Sequence, residues 1–463
     1  MIATSLEHLA GVTGGHLDVP AGGLVGDLNA VTTDSRAVPD GAALFVALRG
    51  ETRDGHDYAA DAVAAGAAAV LAERRLPGLS VPTIVVDDTW RALRELGRDV
   101  RARVAPTAVA ITGSVGKTTV KDFTAAAVGA GRRTHAARGS FNNELGVPLT
   151  LCGLEADTQV LIAEIGARHV GDIADLAPLV APDVSVVTAV APVHLEVFGT
   201  VDAVARAKAE LVDALGPDGT AVLHLADPRV AAMAPRAGHV LSVATDLAHA
   251  DVHAVDVVLD ERARARATAV TPWGRATLRL PIAGRHQVVN ALFALAVAGQ
   301  LGVDLHAAAA AIGEAPVSPW RGEVVDVAGV TVLNDAYNAN PTAVLAALET
   351  LVAIERTGRT VAVLGEMAEL GPDSADEHVR IGRACAELGV GLVVGVGDAA
   401  RRIVRAAEHH TEAAHVADIT AAVDHLDGWL APGDVVLVKA SRVVGLEHLP
   451  AQLAARCGVE VRT

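Results

Sequence analysis

The sequence predicts an α/β protein of three domains. Short Val/Ile/Leu-rich runs alternate with Ala-rich helical stretches over almost the whole chain, the pattern of parallel sheets covered by helices. At roughly 100 to 200 residues per domain, 463 residues divide into two to four domains. The proline-containing breaks after Leu76 and around Pro316 and Pro319 then set segments 1–87, 88–314 and 315–463.

In the first segment Ala43 to Leu48 is a predicted strand, Asp57 to Gly66 a helix and Ala67 to Leu71 a second strand, ending at Pro77-Gly78. The second segment begins near Asp88 with a helix, passes Pro106 into the strand Thr107 to Ile111, and runs to a helix after Arg285. Strands of the third segment are Val330 to Leu333, Thr360 to Leu364, Gly391 to Val396 and Asp434 to Val438, with helical stretches between them.

Composition narrows the function. The chain carries a formal net charge of −17 and only 2% aromatic residues. It therefore lacks both the broad basic field and the stacking platform of a sequence-independent nucleic-acid binder. Cys152, Cys385 and Cys457 lie far apart without metal-ligand spacing, which suits packing thiols in a reducing compartment. The first basic residue is Arg36, and the longest small-apolar run, Ala62 to Ala72, has 11 residues where a membrane span needs about 20. A soluble cytoplasmic protein without membrane insertion is expected.

The chemistry centres on TGSVGKTT, Thr112, Gly113, Ser114, Val115, Gly116, Lys117, Thr118 and Thr119, between an apolar strand and a helical run. Such a loop turns backbone N–H groups and a helix N-terminus toward phosphate oxygens, while Lys117 supplies a point charge and the Thr118 hydroxyl can hold Mg²⁺. Ile111 stands where the Walker pattern has its first glycine, so the match is a variant, and an ordinary glycine turn is the alternative.

Ligands of open α/β sheets gather beyond the carboxyl ends of strands. Glu164 follows the apolar run Val160 to Ala163 and His194 follows Val184 to Val190, which makes both candidates for holding Mg²⁺ directly or through water. Lys208 falls on the apolar stripe of a helix, among Val201, Val204, Ala205, Leu211, Val212 and Leu215. Burial there would depress its pKa and free a nucleophilic amine able to take up CO₂, giving a carbamate that presents oxygens to a second Mg²⁺. The alternative is a lysine snorkelling out of the groove.

Asn290 lies in GRHQVVNA at a helix start, where it could contact a purine edge or sugar; Arg321 follows the proline-rich junction and Asp335 stands at a strand end in NDAYNANP. Asp335 could accept from ribose hydroxyls and Arg321 reach a phosphate, and a turn or surface ion pair is the alternative for each. The string Gly395 to Ala400 resembles a dinucleotide fingerprint but needs no more than close strand and helix packing to explain it. His249 and His253 lack the glutamate and cysteine neighbours of a zinc site.

Taken together, TGSVGKTT, AEIGA with Glu164, the turn at His194, AKAEL with Lys208 and NDAYNANP resemble the Mur ligase family over essentially the full length. DSR at Asp34 to Arg36, LFVALRGETRDGHDY, SFNNELGVPLT, VLGEMAELG and LVKASR most resemble its branch that adds D-alanyl-D-alanine. The resemblance implies an N-terminal UDP-binding domain, a central P-loop ATPase domain and a C-terminal Rossmann-like domain. It implies ATP-dependent joining of UDP-N-acetylmuramoyl-tripeptide to D-alanyl-D-alanine in cytoplasmic peptidoglycan precursor synthesis, by a monomer.

By the same resemblance Lys117 and the loop neutralise the β and γ phosphates, Thr118 and Glu164 hold one Mg²⁺, and His194 with carbamoylated Lys208 holds the other. Asn290, Arg321 and Asp335 become adenine, phosphate and ribose contacts. Ser35, Arg36, Asp54 and His56 fall near the UDP group, Asn142 and Asn143 face the peptide-bearing sugar, and Tyr337, Asn338 and Asn340 help place acceptor or nucleotide. The sequence departs from the family pattern at His224 and Ala226, where Asn and Asp are common. Rival readings are a sibling ligase adding a diamino acid, whose D-N-P-R string is absent, a paralogue in a specialised pathway, and a P-loop switch without ligase chemistry.

Overall fold

The computed structural model describes residues 1–20, 26–316 and 318–461. It contains three sheets, one in each predicted segment. The first runs, edge to edge, His16–Asp18, Thr83–Val85, Ala67–Ala72, Ala43–Val46 and Ala30–Thr32. Its outermost pair is antiparallel and the rest parallel. The helix Thr89–Val104, capped by the Asp88 carboxylate accepting from Arg91 N–H, buries Ala92, Leu93 and Leu96 against this sheet. Its last turns bury Val100 in the central domain's core, so one helix serves two cores.

The central sheet has nine strands. Seven are parallel, from Val252–Leu259 through His239–Ala244, Thr220–His224, Val184–Val187, Thr107–Thr112 and Val160–Glu164 to Thr134–Ala136. Arg264–Thr271 and Gly274–Ala283 extend it as antiparallel strands. This corrects the expectation of parallel strands throughout, and the physical reason is local. Residues 265 to 269 alternate buried and more exposed side chains, and the two strands are joined by a tight turn at Pro272-Trp273, which is hairpin patterning. Helices Lys117–Gly129 and Gln287–Gln300 share the large core on one face. The second helix is buried at nearly every position, as expected of a helix enclosed by its neighbours.

In the third sheet the antiparallel pair Glu323–Val327 and Val330–Asn334 is followed by parallel strands Val435–Lys439, Thr360–Leu364, Leu392–Val396 and Glu412–Val416. Apolar cores lie on both of its faces. Among the described residues no helix is long and apolar enough to cross a membrane.

Candidate active site

The strand Thr107–Thr112 delivers the chain into the glycine loop, and the helix begins at Lys117, inside the glycine-rich string itself. Gly116, at φ +81°, is the residue before this helix, and a β-carbon there would lie 2.8 Å from Asn290 Oδ1. Only glycine satisfies both constraints. The loop is tied to the neighbouring strand end: Ser114 N–H donates to Ala189 O at 2.8 Å, and the Thr188 hydroxyl donates to Val115 O at 2.5 Å. Lys117 Nζ folds back onto Gly113 O at 2.7 Å. Burial holds its pKa below the ordinary lysine value, with Arg321 adding to that effect and Glu164 opposing it.

Strand register brings the acid to this loop. Ile111 pairs with Glu164 on the adjacent strand, so the carboxylate ends beside the start of the phosphate loop. Glu164 is 1% exposed; its Oε2 accepts from Thr118 Oγ1 at 2.8 Å and its Oε1 from Asn142 Nδ2 at 2.7 Å. Both direct partners are neutral, and the buried cations Lys117 and Lys208 act on the carboxylate from farther off. A hydroxyl and a carboxylate side by side in that setting are the oxygen donors a hard divalent cation prefers, so the residues fit Mg²⁺.

Lys208 lies on the helix Val201–Asp213 and is 2% exposed, so it does not snorkel. Burial first, then the charge of Lys117, brings its pKa down from 10.5 to about 7, against the pull of Asp172, Glu210 and Glu164. Near neutral pH a substantial fraction of its amine is therefore uncharged. As an ammonium it is no metal ligand, so a second ion fits only once the nitrogen carries a carbamate.

His194, at φ +52°, precedes the short helix Leu195–Phe198, and its Nδ1 is bonded to the Glu369 carboxylate of the third domain. Burial lowers its pKa, with Glu369 opposing and Lys117 and Lys208 adding. Arg321 crosses from the third segment: its guanidinium stacks on Tyr337 at 3.9 Å and donates to Ser140 Oγ at 3.3 Å. Tyr337 Oη donates to the same Ser140 Oγ at 2.6 Å. Arg321 Nε is buried without a partner among the described residues.

The remaining candidates are engaged more locally. Asn290 donates to Gln287 Oε1 at 2.7 Å beside Gly116. The Asp335 carboxylate holds the buried Lys439 ammonium at 2.5 Å, and Asn338 O accepts from the same ammonium at 3.1 Å. Asn143 Oδ1 accepts from Gly146 N–H, and Asn340 caps the helix Pro341–Ala353. In the first domain Arg36 pairs with Asp34 through two guanidinium nitrogens, which with backbone bonding brings the aspartate pKa down to about 2. Ser35 sits between them in the turn. His56 is buried, its Nδ1 on Asp54 Oδ1 and its Nε2 accepting from Glu73 N–H at 2.8 Å. Within the first domain these side chains are thus engaged with one another. Sequence reasoning gave no role to Ser140, Glu369 or Lys439, although all three lie within strings already singled out.

A phosphate loop, a buried acid at the adjacent strand end and a cation reaching in from another domain define a P-loop nucleotide-dependent enzyme. Three family profiles match: Mur ligase family, catalytic domain, over residues 27–101; Mur ligase middle domain over 111–298; and Mur ligase, glutamate ligase domain, over 320–442. The chain is 42% identical to the UDP-N-acetylmuramoyl-tripeptide–D-alanyl-D-alanine ligase of Mycobacterium tuberculosis, covering 92% of this chain and 93% of that one. It superposes on the crystal structure of MurF from Acinetobacter baumannii with TM-score 0.86 at 31% identity, covering 98% and 99% of the two chains. MurF ligase from Thermotoga maritima, solved in complex with ADP, gives 0.77 at 27% identity, covering 92% and 97%. The chain belongs to the Mur ligase family. It is an ATP-dependent ligase.

Proposed function

We propose that the chain joins UDP-N-acetylmuramoyl-tripeptide to D-alanyl-D-alanine, forming ADP and phosphate, as a cytoplasmic monomer built of domains near 1–87, 88–314 and 315–463. The observation that carries the reading is Arg321 of the third segment reaching Ser140 Oγ of the central one at 3.3 Å, because a ligase must close its nucleotide site against water. The tripeptide carboxylate attacks the γ-phosphate to give an acyl phosphate, and the dipeptide amine then displaces phosphate.

Lys117 and the loop N–H groups hold the β and γ phosphates, and Arg321 completes the cationic set with its free Nε. Thr118 and Glu164 would hold one Mg²⁺, and His194 with N-carboxylated Lys208 a second. When bound, these ions supply neutralisation of phosphate charge. Asn290 and Asp335 serve the nucleoside, the latter positioned by Lys439. Ser35, Arg36, Asp54 and His56 are assigned to the UDP group, Asn142 and Asn143 to the muramoyl sugar, and Tyr337, Asn338 and Asn340 to acceptor placement.

Phosphate release tests the reading. It is expected only when UDP-muramoyl-tripeptide and D-alanyl-D-alanine are both present. Equal turnover with either omitted overturns it in favour of a nucleotide switch, and preference for the dipeptide precursor with a diamino acid overturns it in favour of the sibling ligase.

A further inference from the structure

Glu369 is the third domain's direct contact with a residue of the proposed metal set, and the machinery described so far gives it no task. It sits in the loop after Thr360–Leu364, and that loop is braced from within its own domain. Met367 N–H donates to His378 Nε2 at 3.1 Å, Ala368 N–H to Ser441 Oγ at 2.9 Å, and Ser441 N–H to Glu366 O at 2.9 Å. His378 is itself locked, its Nδ1 against Ser374 O at 2.6 Å. The platform is rigid, and Glu369 projects from it toward the central domain.

What Glu369 meets there is specific. One carboxylate oxygen takes His194 Nδ1 and the other Arg168 Nη2 at 3.2 Å. Glu369 has φ +62° and His194 φ +52°, so both partners are held in the left-handed region that side-chain-bearing residues seldom occupy. Two residues later the domains touch closely: a β-carbon on Gly371 would lie 3.2 Å from Glu196 N.

We propose that Glu369 is a positioning residue for His194. By accepting the Nδ1 proton it selects one tautomer and one ring orientation, leaving the lone pair on Nε2 for the ligand of the site. Because the carboxylate belongs to another domain, the imidazole becomes competent only when the third domain is seated. Arg168 holds the carboxylate from its other oxygen.

The test combines spectroscopy with kinetics on the full-length chain. In metal-free, nucleotide-free protein labelled with ¹⁵N-histidine, the His194 signals are identified by their loss in His194→Gln and are expected to report Nδ1–H. In Glu369→Ala they are expected to shift to the Nε2–H form, and kcat to fall about 10- to 100-fold with the KM for D-alanyl-D-alanine within about twofold of wild type. Glu369→Gln, which keeps an acceptor oxygen, is expected to retain the tautomer and recover most of kcat. An unchanged tautomer in Glu369→Ala, or equal losses in the alanine and glutamine variants, overturns the proposal. The kinetic arm rests on the ligase reading and the tautomer arm does not, so a chain without ligation that still shows the tautomer shift separates the two failures.

Discussion

Thr118 and Glu164, 46 positions apart in the chain, are joined by a 2.8 Å hydrogen bond in which the hydroxyl donates to a buried carboxylate. Strand register makes the bond: the acid pairs with Ile111, and the strand end, the glycine loop and the first helical residue return the hydroxyl to it. Replacing Glu164 by Gln keeps a hydrogen-bonding group and removes the charge. The Mg²⁺ concentration for half-maximal phosphate release is then expected to rise at least about 10-fold. A thermal melt of the metal-free protein checks that the variant is folded, since Glu164 also acts on the buried Lys117 and Lys208. An unaltered Mg²⁺ dependence counts against the assignment.

Lys117→Ala leaves the loop's backbone bonds in place, since the ammonium donates only to Gly113 O within its own turn. Phosphate release is expected to drop about 10²- to 10³-fold, with a melting temperature close to wild type. Substantial turnover in a folded variant contradicts the proposed charge neutralisation.

Lys208 has a pH signature with a definite sign. Its folded pKa is about 7 against 10.5 when exposed. Between those values the unfolded chain binds the extra proton, so wild-type stability rises with pH across that window, and below about 7 the full cost of the buried ammonium is present. Lys208→Met removes that cost. In metal-free, CO₂-depleted buffer its stability gain is expected to be largest below pH 7, at most about 5 kcal/mol, and to shrink toward pH 10. A pH-independent gain refutes the depressed pKa. Separately, ¹³C-bicarbonate is expected to give a carbamate resonance that Lys208→Arg abolishes.

Asp335 and Lys439 form a largely buried pair, and Lys439 Nζ also donates to Asp335 O and Asn338 O. Lys439→Met strands the carboxylate and is expected to cost about 3 to 5 kcal/mol in the unfolding transition of the third domain. Adding Asp335→Asn returns part of that loss. Additive effects in the double variant, measured by denaturant titration, refute the coupling.

The sequence made some of this site legible because period and position carry information. Lys208 stands out as a charge on an apolar stripe, and Glu164 as an acid ending an apolar run; both lie where those patterns placed them. Loop residues obey no period. Glu369 and Ser140 acquire their roles from partners 175 and 181 positions away, His194 and Arg321, so only the folded chain pairs them. The antiparallel strands at the edge of the central sheet were a different kind of miss, since the alternation in Arg264–Thr271 and the turn at Pro272-Trp273 were present to be counted. At the His224 departure the ring sits edge-on to Phe293 at 5.9 Å with Nδ1 buried and unpartnered among the described residues, while Asp227 still caps the following helix and holds Val190 N–H at 2.7 Å.

Gly371 shows what a missing methyl group permits. At φ +60°, a β-carbon there would lie 3.2 Å from Glu196 N, so alanine would both strain the turn and press on the seat of the third domain. Gly371→Ala is therefore expected to keep nucleotide binding on the central domain while loosening the hinge-side fit, read as a larger share of phosphate released without amide formation.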